Sequence, residues 1–141
     1  MKKGILIFAA AFTLLSGCTP NVTKEQLENA SYGHPPTAYK ATINDYLDGS
    51  LKDPESKRVK YAGEPKKGHW YYSGDKFGYF VCATVNAKNS YGGYAGKSAY
   101  FFGFQDNQMQ AVFSDDEYLS TQYINCMCAQ KPINSITLSC K

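Results

Sequence analysis

The chain predicts an α+β domain: a small antiparallel sheet of about five strands, two helices packed on one face of it, and disulfides stapling the elements together. Three observations lead there. One segment repeats apolar residues at helical spacing, the segments after it switch to dense β-branched and aromatic runs, and four cysteines, an even number, lie within the body of the chain.

The elements follow in order. Met1-Lys2-Lys3-Gly4 is a basic start, and residues 5–15 are apolar except for Thr13, a run too short to span a bilayer as a mature helix. Residues 1–17 therefore read as a secretion signal. Residues 18–38 are rich in Thr, Asn, Ser, Gly and Pro and read as a flexible spacer; residues 39–141 remain as a single globular domain. Tyr39, Ile43, Tyr46, Leu47 and Leu51 recur at helical spacing, with Thr37 or Thr42 as cap, and the helix ends before Asp53-Pro54, where the residue preceding proline is pushed out of helical geometry. Residues 57–61, 69–72, 77–85, 98–104 and 108–113 then read as strands, the last two joined by the turn Gln105-Asp106-Asn107. Ser114-Asp115-Asp116-Glu117 reads as a second helix start, with Tyr118, Leu119, Tyr123 and Ile124 as its buried stripe. A short strand over residues 136–140 closes the fold.

Leu15-Ser16-Gly17-Cys18 resembles the lipobox of bacterial lipoproteins. The resemblance implies cleavage before Cys18, which then carries a thioether-linked diacylglycerol and usually an amide-linked third acyl chain. At about 0.8 kcal/mol per buried methylene, two or three such chains make a permanent membrane anchor. Thr19 follows the lipidated position; lack of Asp there resembles signals permitting transport to the outer membrane, so the periplasmic face of that membrane is the expected location. Cleavage leaves 124 of the 141 residues, and because Lys2 and Lys3 depart, the 15 basic residues fall to 13 against 12 acidic ones. A net charge near +1 is no nucleic-acid signature.

With Cys18 accounted for, Cys82, Cys126, Cys128 and Cys140 remain, in a compartment where disulfides persist. A ring joining Cys126 to Cys128 is strained, so each pairs with Cys82 or Cys140, in an order left open. Zinc is the competing use of these thiols. Its structural sites usually show close cysteine pairs on both sides, whereas Cys82 and Cys140 are isolated, so neither metal nor cofactor is expected.

The stretch 85–97, Val-Asn-Ala-Lys-Asn-Ser-Tyr-Gly-Gly-Tyr-Ala-Gly-Lys, joins two strong strands where a short turn would suffice. It resembles a segment of small exported bacterial lipoproteins in which an Asp-Pro-x-Ser element, here Asp53-Pro54-Glu55-Ser56, precedes the sheet; that resemblance implies a family and no activity. Asn86, Lys88, Asn89, Tyr91, Gly92, Gly93 and Tyr94 are the candidate binding residues. Glycine permits close approach, and tyrosine offers a stacking face with a hydroxyl. The plainer alternative is a long hairpin whose tyrosines fold back onto the sheet around Cys82 and Phe102. Lys52, Lys57, Arg58, Lys60, Lys66 and Lys67 form a local basic excess, read as a solvated edge that deters sheet aggregation.

Catalytic patterns are absent from the sequence. His34 and His69 have no serine or free cysteine in a nucleophile motif, and Gly96-Lys97-Ser98 lacks both the upstream glycine and the following helix of a phosphate loop. The expectation is a non-enzymatic, membrane-anchored envelope lipoprotein acting as a protein-binding or accessory module. An inhibitor of a host hydrolase such as lysozyme is the alternative, and a cell-wall hydrolase ranks below both. Its partners are then the membrane, through lipid, and an envelope protein.

Overall fold

The computed structural model describes residues 22–115, 119–131, 133–134 and 139–140; Cys18 and its lipobox lie outside them. A short helix, α1 (Lys24–Asn29), begins at a capping box in which Thr23 and Gln26 exchange side-chain and backbone hydrogen bonds. It falls within the expected spacer. So do residues 32–37, which are docked rather than loose: Tyr32 packs edge-on against Phe77, the His34 and Thr37 backbone N–H groups donate to the side chains of Asp106 and Asn107, and Pro36 is buried. The turn residues hold this segment because Asp106 and Asn107, both at positive φ, form the two-residue hairpin between β4 (Ser98–Gln105) and β5 (Gln108–Ser114) and aim their side chains backward.

Helix α2 (Tyr39–Ser50) follows. Its N-cap position is Ala38, with no side-chain cap, rather than Thr37 or Thr42; the Thr42 hydroxyl donates to the Ala38 carbonyl instead. Strands β1 (Asp53–Tyr61) and β2 (Lys66–Tyr71) both pair with one edge of the central β3 (Asp75–Lys88), β1 with its later half and β2 with its earlier half. On the other edge of β3 come β4 and then β5, all antiparallel.

Side chains alternate along the strands and sort into two cores. Val81, Ala83 and Val85 of β3 and Tyr100, Phe102 and Phe104 of β4 meet Tyr39, Ile43 and Leu47 of α2. Phe80 and Phe101, with Cys82 packed alongside, meet Ile124 and Met127 of α3 (Thr121–Cys128). The helices thus lie on opposite faces, correcting the expectation that both pack on one. Two covered faces need apolar residues at odd and even positions alike, as Phe101, Phe102 and Phe104 show at 0 % exposure. Full burial of each ring contributes roughly 1.5–3 kcal/mol. On the α3 face the Trp70 ring lies across Gly78 and Gly103, where a Cβ would come within 2.8 Å and 2.7 Å of it, so both positions exclude side chains.

The second helix also starts later than expected. Ser114 ends β5, Ser120 caps α3 by accepting from the Tyr123 N–H, and residues 116–118 lie outside the described residues. Asp115 is diverted from a first-turn role: its carboxylate accepts the Ala99 N–H and the Thr121 hydroxyl, tying the helix entry to β4. Of the expected closing strand, residues 136–138 lie outside the described residues, as does 135; among the described residues, β6 (Ile133–Asn134) and β7 (Ser139–Cys140) pair with each other and not with the five-stranded sheet. Cys82 bonds Cys128, and Cys126 bonds Cys140, with Cα separations of 6.0 and 5.4 Å. The first pins α3 to the centre of the sheet, and the second pins the C-terminal ribbon to α3.

Candidate functional site

Strand β3 runs to Lys88, so Asn86 and Lys88 belong to the sheet and the true loop is 89–97. Asn89 organises it. Its N–H donates to the Gly93 carbonyl, its own carbonyl accepts from Gly92, and its side-chain oxygen accepts from the N–H groups of Tyr91 and Gly93. Gly92 sits at φ 80°, a backbone shape that favours glycine. A bridge between Lys88 and Tyr94 and a bond from the Ala95 N–H to the Ala87 carbonyl close the base. The loop is therefore a small folded unit. At its tip Tyr91 is 97 % exposed.

Ser56, from the Asp-Pro-x-Ser element, supports this unit from beneath. Its hydroxyl accepts the Lys88 N–H at 2.8 Å and donates to the Asp53 carbonyl at 2.8 Å, while the Tyr94 hydroxyl donates to the Ser56 carbonyl at 3.3 Å. The β1–β3 register is interrupted between Asp53 and Arg58, and the Ser56 side chain supplies the acceptor for Lys88 within that break. The two motifs noted in the sequence thus form one structure. The Tyr94 ring does not return to Cys82 and Phe102: it carries the Arg58 guanidinium, 4.2 Å from its centroid, with Lys88 Nζ at 5.9 Å.

Beside the loop the α3 face of the sheet is uncovered. Arg58 stands opposite Asn86, and Lys60 opposite Thr84, in register across β1 and β3. Val59 and Tyr61 alternate to the α2 side and pack there. Two adjoining clefts open on this surface, of about 330 and 180 Å³, and Lys60, Thr84 and Lys97 line both. Arg58 and Asn86 complete the smaller, Asn125 and Cys128 of α3 bound the larger, and no carboxylate lines either. Among the described residues, the ion pairs use other groups, leaving Arg58, Lys60, Lys88 and Lys97 without a carboxylate partner. The Asn86 side-chain oxygen is buried and has no hydrogen-bond partner among the described residues.

The basic window read as a solvated edge therefore divides. Lys57 pairs with Asp48, and Lys67 lies over the Tyr32 ring, while Arg58 and Lys60 turn toward the loop. Sequence reasoning placed Asn86, Lys88, Asn89, Tyr91, Gly92, Gly93 and Tyr94 near one another, with Lys97 adding charge at the end of the same stretch, but missed that Ser56, Arg58, Lys60 and Thr84 converge on them; the readable signal was Arg58-x-Lys60, two cations on one strand face. Gly93, unlike Gly92, has no positive φ and serves as a bonding partner of Asn89. His69 contacts Asp75 at 2.8 Å and His34 contacts Asp106 at 3.3 Å, both away from the loop. Among the described residues no cluster of three or more His, Cys, Asp or Glu side chains could hold a metal ion, the four cysteines being joined as disulfides. No protein-family model, curated protein or solved structure matches this chain.

Proposed function

We propose that the chain is a non-enzymatic envelope lipoprotein, anchored through Cys18 to the periplasmic face of the outer membrane, whose domain binds a protein partner through the loop 89–97. One observation carries this reading: Tyr91 is almost fully exposed at the tip of a loop whose backbone is fixed by Asn89 and Ser56. An exposed aromatic on a preordered loop loses little conformational entropy when it is covered, which is how small recognition loops gain affinity.

A photo-crosslinking residue at position 91, expressed in the native envelope, tests the reading. Capture of one discrete protein is the expected result; uniform absence of crosslinks at position 91 in correctly anchored protein refutes it. The same rigid, protruding tip suits insertion into an enzyme cleft, the second reading. Purified domain that slows lysozyme-driven lysis, and loses that effect on Tyr91→Ser, selects inhibition over assembly.

A further inference from the structure

We propose that the cleft formed by Arg58, Lys60 and Lys97 binds an extended acidic peptide carrying carboxylates on alternating residues. This names the partner chemistry and rests on the protein-binding reading above.

Charge comes first. Arg58, Lys60 and Lys97 surround contiguous clefts that hold no acidic side chain, and none of the three has an ion-pair partner among the described residues. Arg58 is also preorganised. Its guanidinium lies 4.2 Å from the centroid of the Tyr94 ring, and that ring is itself held through its hydroxyl by the Ser56 carbonyl. A guanidinium seated on a ring keeps N–H donors available, and its planar fork matches a carboxylate with two parallel hydrogen bonds.

Spacing selects an extended chain. Arg58 and Lys60 are two residues apart on one strand, so their Cα atoms are separated by about 6.6 Å, the same repeat that separates alternate side chains of an extended ligand. A Glu-x-Glu segment laid along β1 sets its first carboxylate against Arg58 and its second against Lys60, with Lys97 flanking from the loop.

The test uses the complete mature domain, with its disulfides formed, and a fluorescent Thr-Glu-Thr-Glu-Thr peptide capped at both ends, titrated by polarisation. A peptide with Gln at both Glu positions is the control. Binding should weaken at least tenfold for the Gln peptide and for Arg58→Gln, and at least fivefold for Lys97→Gln, which lies in the loop and does not touch Tyr94 stacking. Raising salt from about 50 to about 300 mM should weaken it severalfold. Arg58→Lys retains charge but loses the planar fork, so it should bind closer to Arg58→Gln than to the parent. Melting temperature accompanies each variant, and Lys97→Gln carries the test if Arg58→Gln unfolds. Equal affinity for the Glu and Gln peptides, undetectable binding by the parent, or unchanged binding by Lys97→Gln and Arg58→Gln overturns the proposal. Vesicles of phosphatidylglycerol bound more tightly than the peptide, with loss on Lys97→Gln, overturn it in favour of a membrane surface. Failure is separable from failure of the functional reading: crosslinks at position 91 without peptide binding sink the cleft assignment alone, and peptide binding without crosslinks sinks the partner-loop reading alone.

Discussion

Replacing Ser56 by Ala removes a single oxygen and tests how the candidate site is built. That oxygen accepts the Lys88 N–H and its hydroxyl donates to the Asp53 carbonyl, both bonds at 2.8 Å in a partly buried setting. After substitution the Asp53 carbonyl regains water at the sheet edge, but the Lys88 N–H faces a methyl group. An ordinary lost hydrogen bond costs about 1 kcal/mol, and an orphaned buried donor about 1–3, so the variant should lose roughly 2 kcal/mol. For a domain near this size that corresponds to a fall of about 6–12 °C in melting temperature. The loss should also be local: amide exchange at Lys88, Asn89 and Gly93 should accelerate before exchange in β4 does. Ser56→Thr keeps the hydroxyl and should remain within about 0.5 kcal/mol of the parent. Thermal unfolding with residue-resolved hydrogen exchange decides the matter. If Ser56→Ala melts with the parent and leaves Lys88 protected, the Asp-Pro-x-Ser element does not support the loop and this account of the site is wrong.

Other consequences can be checked alongside. Exchange of both Cys82 and Cys128 for Ser should destabilise by about 4 kcal/mol, and exchange of Cys126 and Cys140 by about 3, because the loops closed span 46 and 14 residues; peptide mapping that joins Cys82 to Cys126 contradicts the connectivity. Cys18→Ser should abolish metabolic palmitate labelling and leave the protein unprocessed or unanchored, so persistent label on that variant refutes the lipobox reading. Burial raises the phenols of Tyr39, Tyr61 and Tyr123, and for Tyr39 the hydrogen bond to Glu64 adds to it. A neutral phenol is thus favoured in the fold, so this stabilisation is complete below pH about 10 and is lost as pH rises beyond it; melting temperatures that stay level from pH about 9 to 11 contradict it.

Much of the fold was legible because its signals are local. Tyr39, Ile43 and Leu47 mark α2 by spacing, and all three are buried. The hairpin at Asp106-Asn107 is announced by its turn residues, both of which adopt positive φ. Helix placement was not read correctly, although the run Ala99-Tyr100-Phe101-Phe102-Gly103-Phe104 contains the answer: a strand apolar at odd and even positions has both faces covered, so one helix per face was required. Disulfide pairing stayed open because ring strain rules out only one of three connectivities, and choosing between the rest depends on where α3 lands. The site was half legible. Asn89, Tyr91 and Tyr94 stand out in sequence, whereas Ser56, Arg58 and Lys60 join them only through the β1–β3 register, a pairing across about thirty residues that no local pattern specifies.

The open site follows from a mismatch of lengths. Helix α3 has eight residues and so spans about 12 Å, whereas β3 has fourteen and extends for about 46 Å. One short helix cannot cover such a strand. The Cys82–Cys128 bond decides which part is covered, fixing the helix over Phe80, Cys82 and Phe101 and preventing it from sliding toward the loop. Beyond that anchor the sheet face must meet water, and the residues there change accordingly to Thr84, Asn86, Arg58 and Lys60. Polar residues on an uncovered face need no partner to be stable, and that alone explains Thr84. The exposed Arg58 guanidinium is solvated there as well, and its contact with the Tyr94 ring holds it beside the loop. The same disulfide that positions the short helix therefore also leaves this part of the sheet open to solvent.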